Sequence, residues 1–125
     1  MKKNSVFLCV TLALLAGMYS CTKDKTTTGV TVDCTGINDS TNTYTKNIGP
    51  NITDYYCNYA PCHDAGTASN GINMNGYSNV VAAFKNNNVI GALKGQIELM
   101  PKNGPALPDS LIKQLQCWQQ NGYPQ

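Results

Sequence analysis

Two cysteines and the only histidine of the 125-residue chain fall within one short stretch, CNYAPCH at 57–63. Thiols next to an imidazole have three chemistries open to them. They can ligate zinc, they can oxidise to a disulfide beside a solvated histidine, or they can add across the vinyl groups of a haem while the imidazole takes the iron. Haem attachment wants the histidine directly after the second cysteine, because the turn that positions the sulfurs then also aims the imidazole at the metal. Cys62 and His63 meet that condition, although the spacer at 58–61 is two residues longer than in the usual C-x-x-C-H signature. With six cysteines present, a lone histidine follows one of them by chance only about one time in twenty. Zinc fits poorly: Cys62 and His63 are adjacent, a second histidine is lacking, and the other thiols are single, so spaced ligand pairs cannot be assembled. A Cys57–Cys62 disulfide closing a small loop remains the plain alternative.

The chain before this motif reads as export and tethering. MKK is a short basic start, VFLCVTLALLAGM is an apolar run too short to span a bilayer comfortably, and YSC places a small residue just before Cys21. Residues 1–20 are therefore expected to be a signal peptide, and Cys21 to be acylated after cleavage. Met18 and Tyr19 depart from the usual lipobox, where Leu and a small residue are commoner. Residues 21–43, beginning CTKDKTTTGVT, are expected to form a flexible lipid-anchored tether, because the stretch behind Cys21 is rich in Thr and Lys and has no apolar periodicity. Cys9 leaves with the signal, so Cys34, Cys57, Cys62 and Cys117 enter an oxidising compartment.

Charge narrows the function further. Loss of Lys2 and Lys3 with the signal leaves seven basic and seven acidic residues, and the chain has no arginine. A neutral surface without arginine lacks the footprint of a nucleic-acid binder, and no Gly-rich phosphate loop suggests a nucleotide. No nucleophile–base or carboxylate pair is discernible, and a lone histidine committed to iron would leave no general base, so the chain is not expected to be an enzyme.

The elements that must position the motif are short helices. In YTKNIGPNITDYYC the apolar Tyr44, Ile48, Ile52 and Tyr55 recur at helical spacing, and Pro50 requires the helix to start close to it, which predicts a helix from about Gly49 to Cys57. GTASNGINMNG reads as loop. YSNVVAAFKNN predicts a second helix with Ser78 in the N-cap position and Val80, Val81 and Phe84 inward. VIGALKG gives a weaker helical turn, and ELMPKNGPALP, with three prolines, is a loop that displays Met100. The terminal helix SLIKQLQCWQQ is capped by Asp109, shares Leu111, Leu115 and Trp118 on one face, and stops at Asn121-Gly122. A domain of about four short helices with long loops buries little apolar surface, and chains this small commonly need a staple or a cofactor.

As an ordered set, YTKNIGPNI, CNYAPCHDAG, NGINMNGY, LMPKNGPALPDSLI and CWQQNGYP resemble the small c-type cytochrome domains of envelope lipoproteins in Gram-negative bacteria, in the variant whose motif is C-x4-C-H. The resemblance covers residues 44–124 or so. It implies an all-α, cytochrome c-like domain at 44–125 around one covalent haem c, with Cys57 and Cys62 as thioether donors and His63 as the proximal iron ligand. It also implies Met100 as the distal ligand. Met74 is a rival, but it falls where the family carries an ordinary apolar residue. Because the first and last helices of that fold pack together, the resemblance makes a Cys34–Cys117 disulfide plausible; two buried free thiols are the alternative. The expected function is electron transfer to a redox partner protein in the cell envelope, on a membrane reached through the N-terminal lipid. The competing expectation is a disulfide-stapled surface lipoprotein that binds a protein or glycan without haem.

Overall fold

The structure is a computed structural model and describes residues 31–125. The expected signal peptide, Cys9, the lipid at Cys21 and the start of the tether lie outside the described residues. Those residues form an all-α domain of four helices and one short 3-10 turn, with no strand among them. Helix α1 is wound as a π-helix over Tyr44–Thr53 and finishes as α-helix over Asp54–Tyr56. The 3-10 turn at Ser69–Gly71 follows, then α2 at Tyr77–Asn86, α3 at Val89–Leu93 and α4 at Asp109–Gln120.

Helix α1 begins before the expected Gly49 and carries Pro50 inside it. A proline lacks the amide hydrogen and its ring presses on the preceding turn, which is why an α-helix should start beside it. Here the wider π-winding opens the turn around the ring. The same winding corrects the expected inner face. Tyr44, Ile48, Ile52 and Tyr56 pack on the core, whereas Tyr55 is 71% exposed. In an α-helix, residues four apart drift by about 40° each time, about 120° from position 44 to 56. A turn with more residues holds that strict period of four on one side, so Tyr56 and not Tyr55 ends the stripe.

The other helices fall close to their expected places, with adjusted caps. Gly76, at φ +84°, turns the chain into α2 and its carbonyl accepts from the amide of Val80 at 3.1 Å, so Ser78 lies within the helix and is not its N-cap. Asp109 is likewise the first helical residue of α4 behind Pro108, where its carboxylate faces the positive end of the helix dipole. Asn121 ends α4 as expected, followed by Gly122 at φ +78°.

The core gathers around Trp118, which is fully buried with Ile48, Ile52, Val80 and Leu115. Phe84 meets its ring edge-on at 5.5 Å and Tyr123 at 4.9 Å, geometries that favour aromatic quadrupoles. The carbonyl of Pro124 accepts from the Trp118 indole at 2.8 Å and from the amide of Tyr44 at 2.9 Å, while the Tyr77 hydroxyl donates to the carbonyl of Tyr123 at 2.7 Å. Residues 123 and 124 thereby satisfy donors from α1, α2 and α4.

The packed domain extends before residue 44, into the segment expected to belong to the tether. Cys34 is joined to Cys117 by a disulfide, and residues 32–42 lie against α4 and its C-terminal end. The amide of Val32 donates to Gln120 Oε1 at 2.9 Å, Lys113 Nζ to the Thr35 carbonyl at 2.9 Å, and Asn121 Nδ2 to Asp39 Oδ1 at 2.8 Å. Asn42, 4% exposed, donates to the Gln114 carbonyl at 3.0 Å. Polar side chains on one face of α4 thus hold a segment whose own composition predicts none of this.

Candidate functional site

Where α1 ends, the motif begins. Cys57 closes the last turn of α1, its amide donating to the Thr53 carbonyl at 3.0 Å. The four-residue spacer then doubles back: the Cys62 amide reaches the Tyr59 carbonyl at 2.6 Å, and the His63 amide reaches the Cys57 carbonyl at 3.1 Å. The extra length of the spacer is taken up by this turn, so the backbone of His63 returns to the backbone of Cys57. Asp64 locks the far side. It accepts from the amide of Thr67 at 2.7 Å and from the Thr67 hydroxyl, and these hydrogen bonds hold its carboxyl below the usual range.

The histidine is fixed by one hydrogen bond that decides its chemistry. Nδ1 lies 3.0 Å from the carbonyl oxygen of Ile72. A carbonyl only accepts, so Nδ1 carries a proton, and in the neutral ring Nε2 is then the nitrogen with the lone pair. Ligating histidines are commonly arranged in this way, with the second nitrogen tied to a carbonyl or carboxylate that fixes the tautomer.

Cys57, Cys62, His63 and Met100 all line one cavity of about 610 Å³, within the size range of small-molecule and cofactor sites. Its apolar wall comes from Tyr56, Ile72, Met74, Val89, Ala92 and Leu93. Helix α3 supplies three of these. It is held by Asn88, whose side chain accepts from the Gly91 amide at 3.0 Å and fills the space that a side chain on Gly91 would need. Met100 arrives on the loop after α3, with its amide bonded to the Ala92 carbonyl at 3.1 Å. Met74 lines the same cavity, 5% exposed, but its amide is tied at 2.7 Å to the carbonyl of His63. At the rim Lys102 pairs with Glu98 at 2.5 Å, which raises the lysine.

Cys57 and Cys62 are free thiols, not joined to each other. No three His, Cys, Asp or Glu side chains among the described residues converge as ligands of a metal ion, the arrangement that tetrahedral zinc requires. Burial pushes the Cys57 thiol up to about 12 from 9.0, with smaller contributions from Cys62 and the Asp54 carboxylate. In the chain free of any cofactor, Cys57 is therefore expected to alkylate about a thousandfold more slowly at pH 8 than a thiol with the ordinary ionisation, as read by peptide mapping. The sign for stability follows. The unfolded thiol ionises near 9.0 and the folded one near 12, so stability present below pH 9 is lost as the pH climbs towards 12. A Cys57→Ser change is expected to flatten that alkaline limb; an unchanged limb places the loss elsewhere.

Sequence reasoning identified all four chemical residues that line the cavity but not its walls. The Ile72 carbonyl carries no side-chain signal, and VIGALKG by itself predicts only a weaker helical turn. Its apolar Val89, Ala92 and Leu93 at helical spacing were the available sign. Among the described residues no helix is long and apolar enough to cross a membrane. No protein-family model, curated protein or solved structure matches the chain.

Proposed function

We propose that the protein is a monohaem c-type cytochrome that transfers electrons in the bacterial cell envelope, tethered through Cys21. The observation that carries the reading is the convergence of Cys57, Cys62, His63 and Met100 on one largely apolar cavity. In this reading Cys57 and Cys62 would hold the porphyrin by thioethers, and His63 and Met100 would ligate the iron. The fit rests on the donor set: an imidazole whose Nδ1 is already committed to Ile72 O, and a soft thioether, which favours ferrous iron. Met100, presented by the loop after α3, would be the thioether ligand in preference to Met74, whose backbone amide is tied to the His63 carbonyl. When bound, the haem supplies one-electron chemistry; the chain supplies anchorage, ligand orientation and an apolar shell that limits reorganisation. Lys102 and Asn103, exposed residues that line the cavity, would be the polar partners for the haem carboxylates.

The test is expression of the full chain in a host with c-type maturation machinery, followed by denaturation, reduced alkaline pyridine spectroscopy and intact mass. Haem retained by the denatured chain is the expected result. A colourless protein, in a host that matures a control cytochrome, would sink the reading and leave a stapled binding module held by Cys34–Cys117.

A further inference from the structure

The sequence contains four Asn-Gly pairs, at Asn70-Gly71, Asn75-Gly76, Asn103-Gly104 and Asn121-Gly122. Such pairs share one latent reaction. The glycine amide nitrogen attacks the asparagine Cγ, a C–N bond forms, and ammonia leaves to give a cyclic imide. Water then opens either carbonyl of the ring and yields an isoaspartyl or an aspartyl residue, so that one side-chain amide and one water become a carboxylate and ammonium. Glycine favours the reaction because it has no side chain to obstruct the approach.

All four asparagines are exposed, so exposure does not separate them. The backbone does. Ring closure needs the following nitrogen free and turned to the side of Cβ. Gly71 donates to the Ala68 carbonyl at 2.7 Å, Gly104 to Pro101 at 3.2 Å and Gly122 to Gln119 at 3.1 Å. Asn70 at ψ 28° and Asn121 at ψ 11° also hold the next nitrogen nearly eclipsed with their own, on the far side of the Cα–C bond from Cβ. Among the described residues, Gly76 alone of the four donates to nothing, although its carbonyl accepts from Val80. The side chain of Asn75 makes no hydrogen bond either; its amide donates to Asn73 Oδ1 at 2.7 Å and its carbonyl accepts from Asn79 Nδ2 at 2.7 Å.

From this difference we infer that Asn75 is a site of spontaneous hydrolytic deamidation in the folded protein, ahead of the other three pairs. The inference is independent of the haem reading. The product carries its charge one residue before the N-cap of α2, a position where a carboxylate is favoured by the helix dipole. Its isoaspartyl form lengthens the backbone between Met74, on the cavity wall, and α2.

The full chain is held at mildly alkaline pH and body temperature, sampled over weeks, and mapped by tandem mass spectrometry for residues heavier by about 1 Da. Asn75 is expected to convert about tenfold faster than Asn70, Asn103 or Asn121, the ratio that one retained backbone hydrogen bond corresponds to. In urea the four rates are expected to converge. An Asn75→Gln chain is expected to lose the leading conversion and keep the slow ones. Equal native rates, a different leading residue, or the same ranking in urea each overturn the inference.

Discussion

On the haem reading, a chain carrying His63→Ala is expected to leave a c-type maturation host without the low-spin iron spectrum expected of the unsubstituted protein. The imidazole is the only one in the chain, and its tautomer is set by the Ile72 carbonyl at 3.0 Å, so no other side chain can take its place with the same geometry. Removing it also leaves the Ile72 carbonyl without its donor, a loss of about 1 kcal/mol that the helical core can absorb. The helical far-ultraviolet signal should therefore persist while the iron spectrum goes. Free imidazole, added to the variant, is expected to restore part of that spectrum by entering the space vacated in the cavity. A variant whose spectrum is unchanged excludes His63 as ligand. A spectrum lost together with the helices, and not rescued by imidazole, assigns the residue to folding instead.

The second large effect concerns the staple. Cys34 and Cys117 are 83 residues apart, and the entropy of closing a loop of that length in the unfolded chain corresponds to about 4.5 kcal/mol at 25 °C. A domain of this size has a total stability of roughly 5–14 kcal/mol, so the bond accounts for a large share of it. The double replacement Cys34→Ala and Cys117→Ala is the suitable test, because Cys117 is fully buried and a serine hydroxyl would add a separate cost there. The expected result is a denaturation midpoint lowered by an amount equivalent to about 3–5 kcal/mol, with the slope nearly unchanged. A loss below about 1 kcal/mol would mean that residues 32–42 unfold independently of α4, and their hydrogen bonds to Gln114, Lys113 and Asn121 would then be surface decoration.

What the sequence made legible depends on how local the cause was. Helices α2, α3 and α4 follow from apolar spacing and punctuation by glycine, asparagine and proline, and their ends differ from expectation by one or two residues. Helix α1 was misplaced because its decisive feature, π-winding around Pro50, is a choice between backbone hydrogen-bond registers that no side chain announces. From that one misreading came the selection of Tyr55 over Tyr56. The chemical residues Cys57, Cys62, His63 and Met100 were legible by type and order. Their common cavity was not, because it depends on α3 and on a carbonyl nine residues beyond the histidine. Residues 32–42 resisted reading for a related reason: a polar segment shows no periodicity when the face it binds is itself polar.

The two carbonyls of Tyr123 and Pro124 have a consequence for the order of events in the cell. They hold the Tyr44 amide, the Tyr77 hydroxyl and the Trp118 indole, so three helices wait for donors' partners that are synthesised about eighty residues after α1 begins. The full hydrogen-bond set at the start of α1, the helix that leads into the cysteine motif, is therefore open only to a chain that already carries residues 123 and 124.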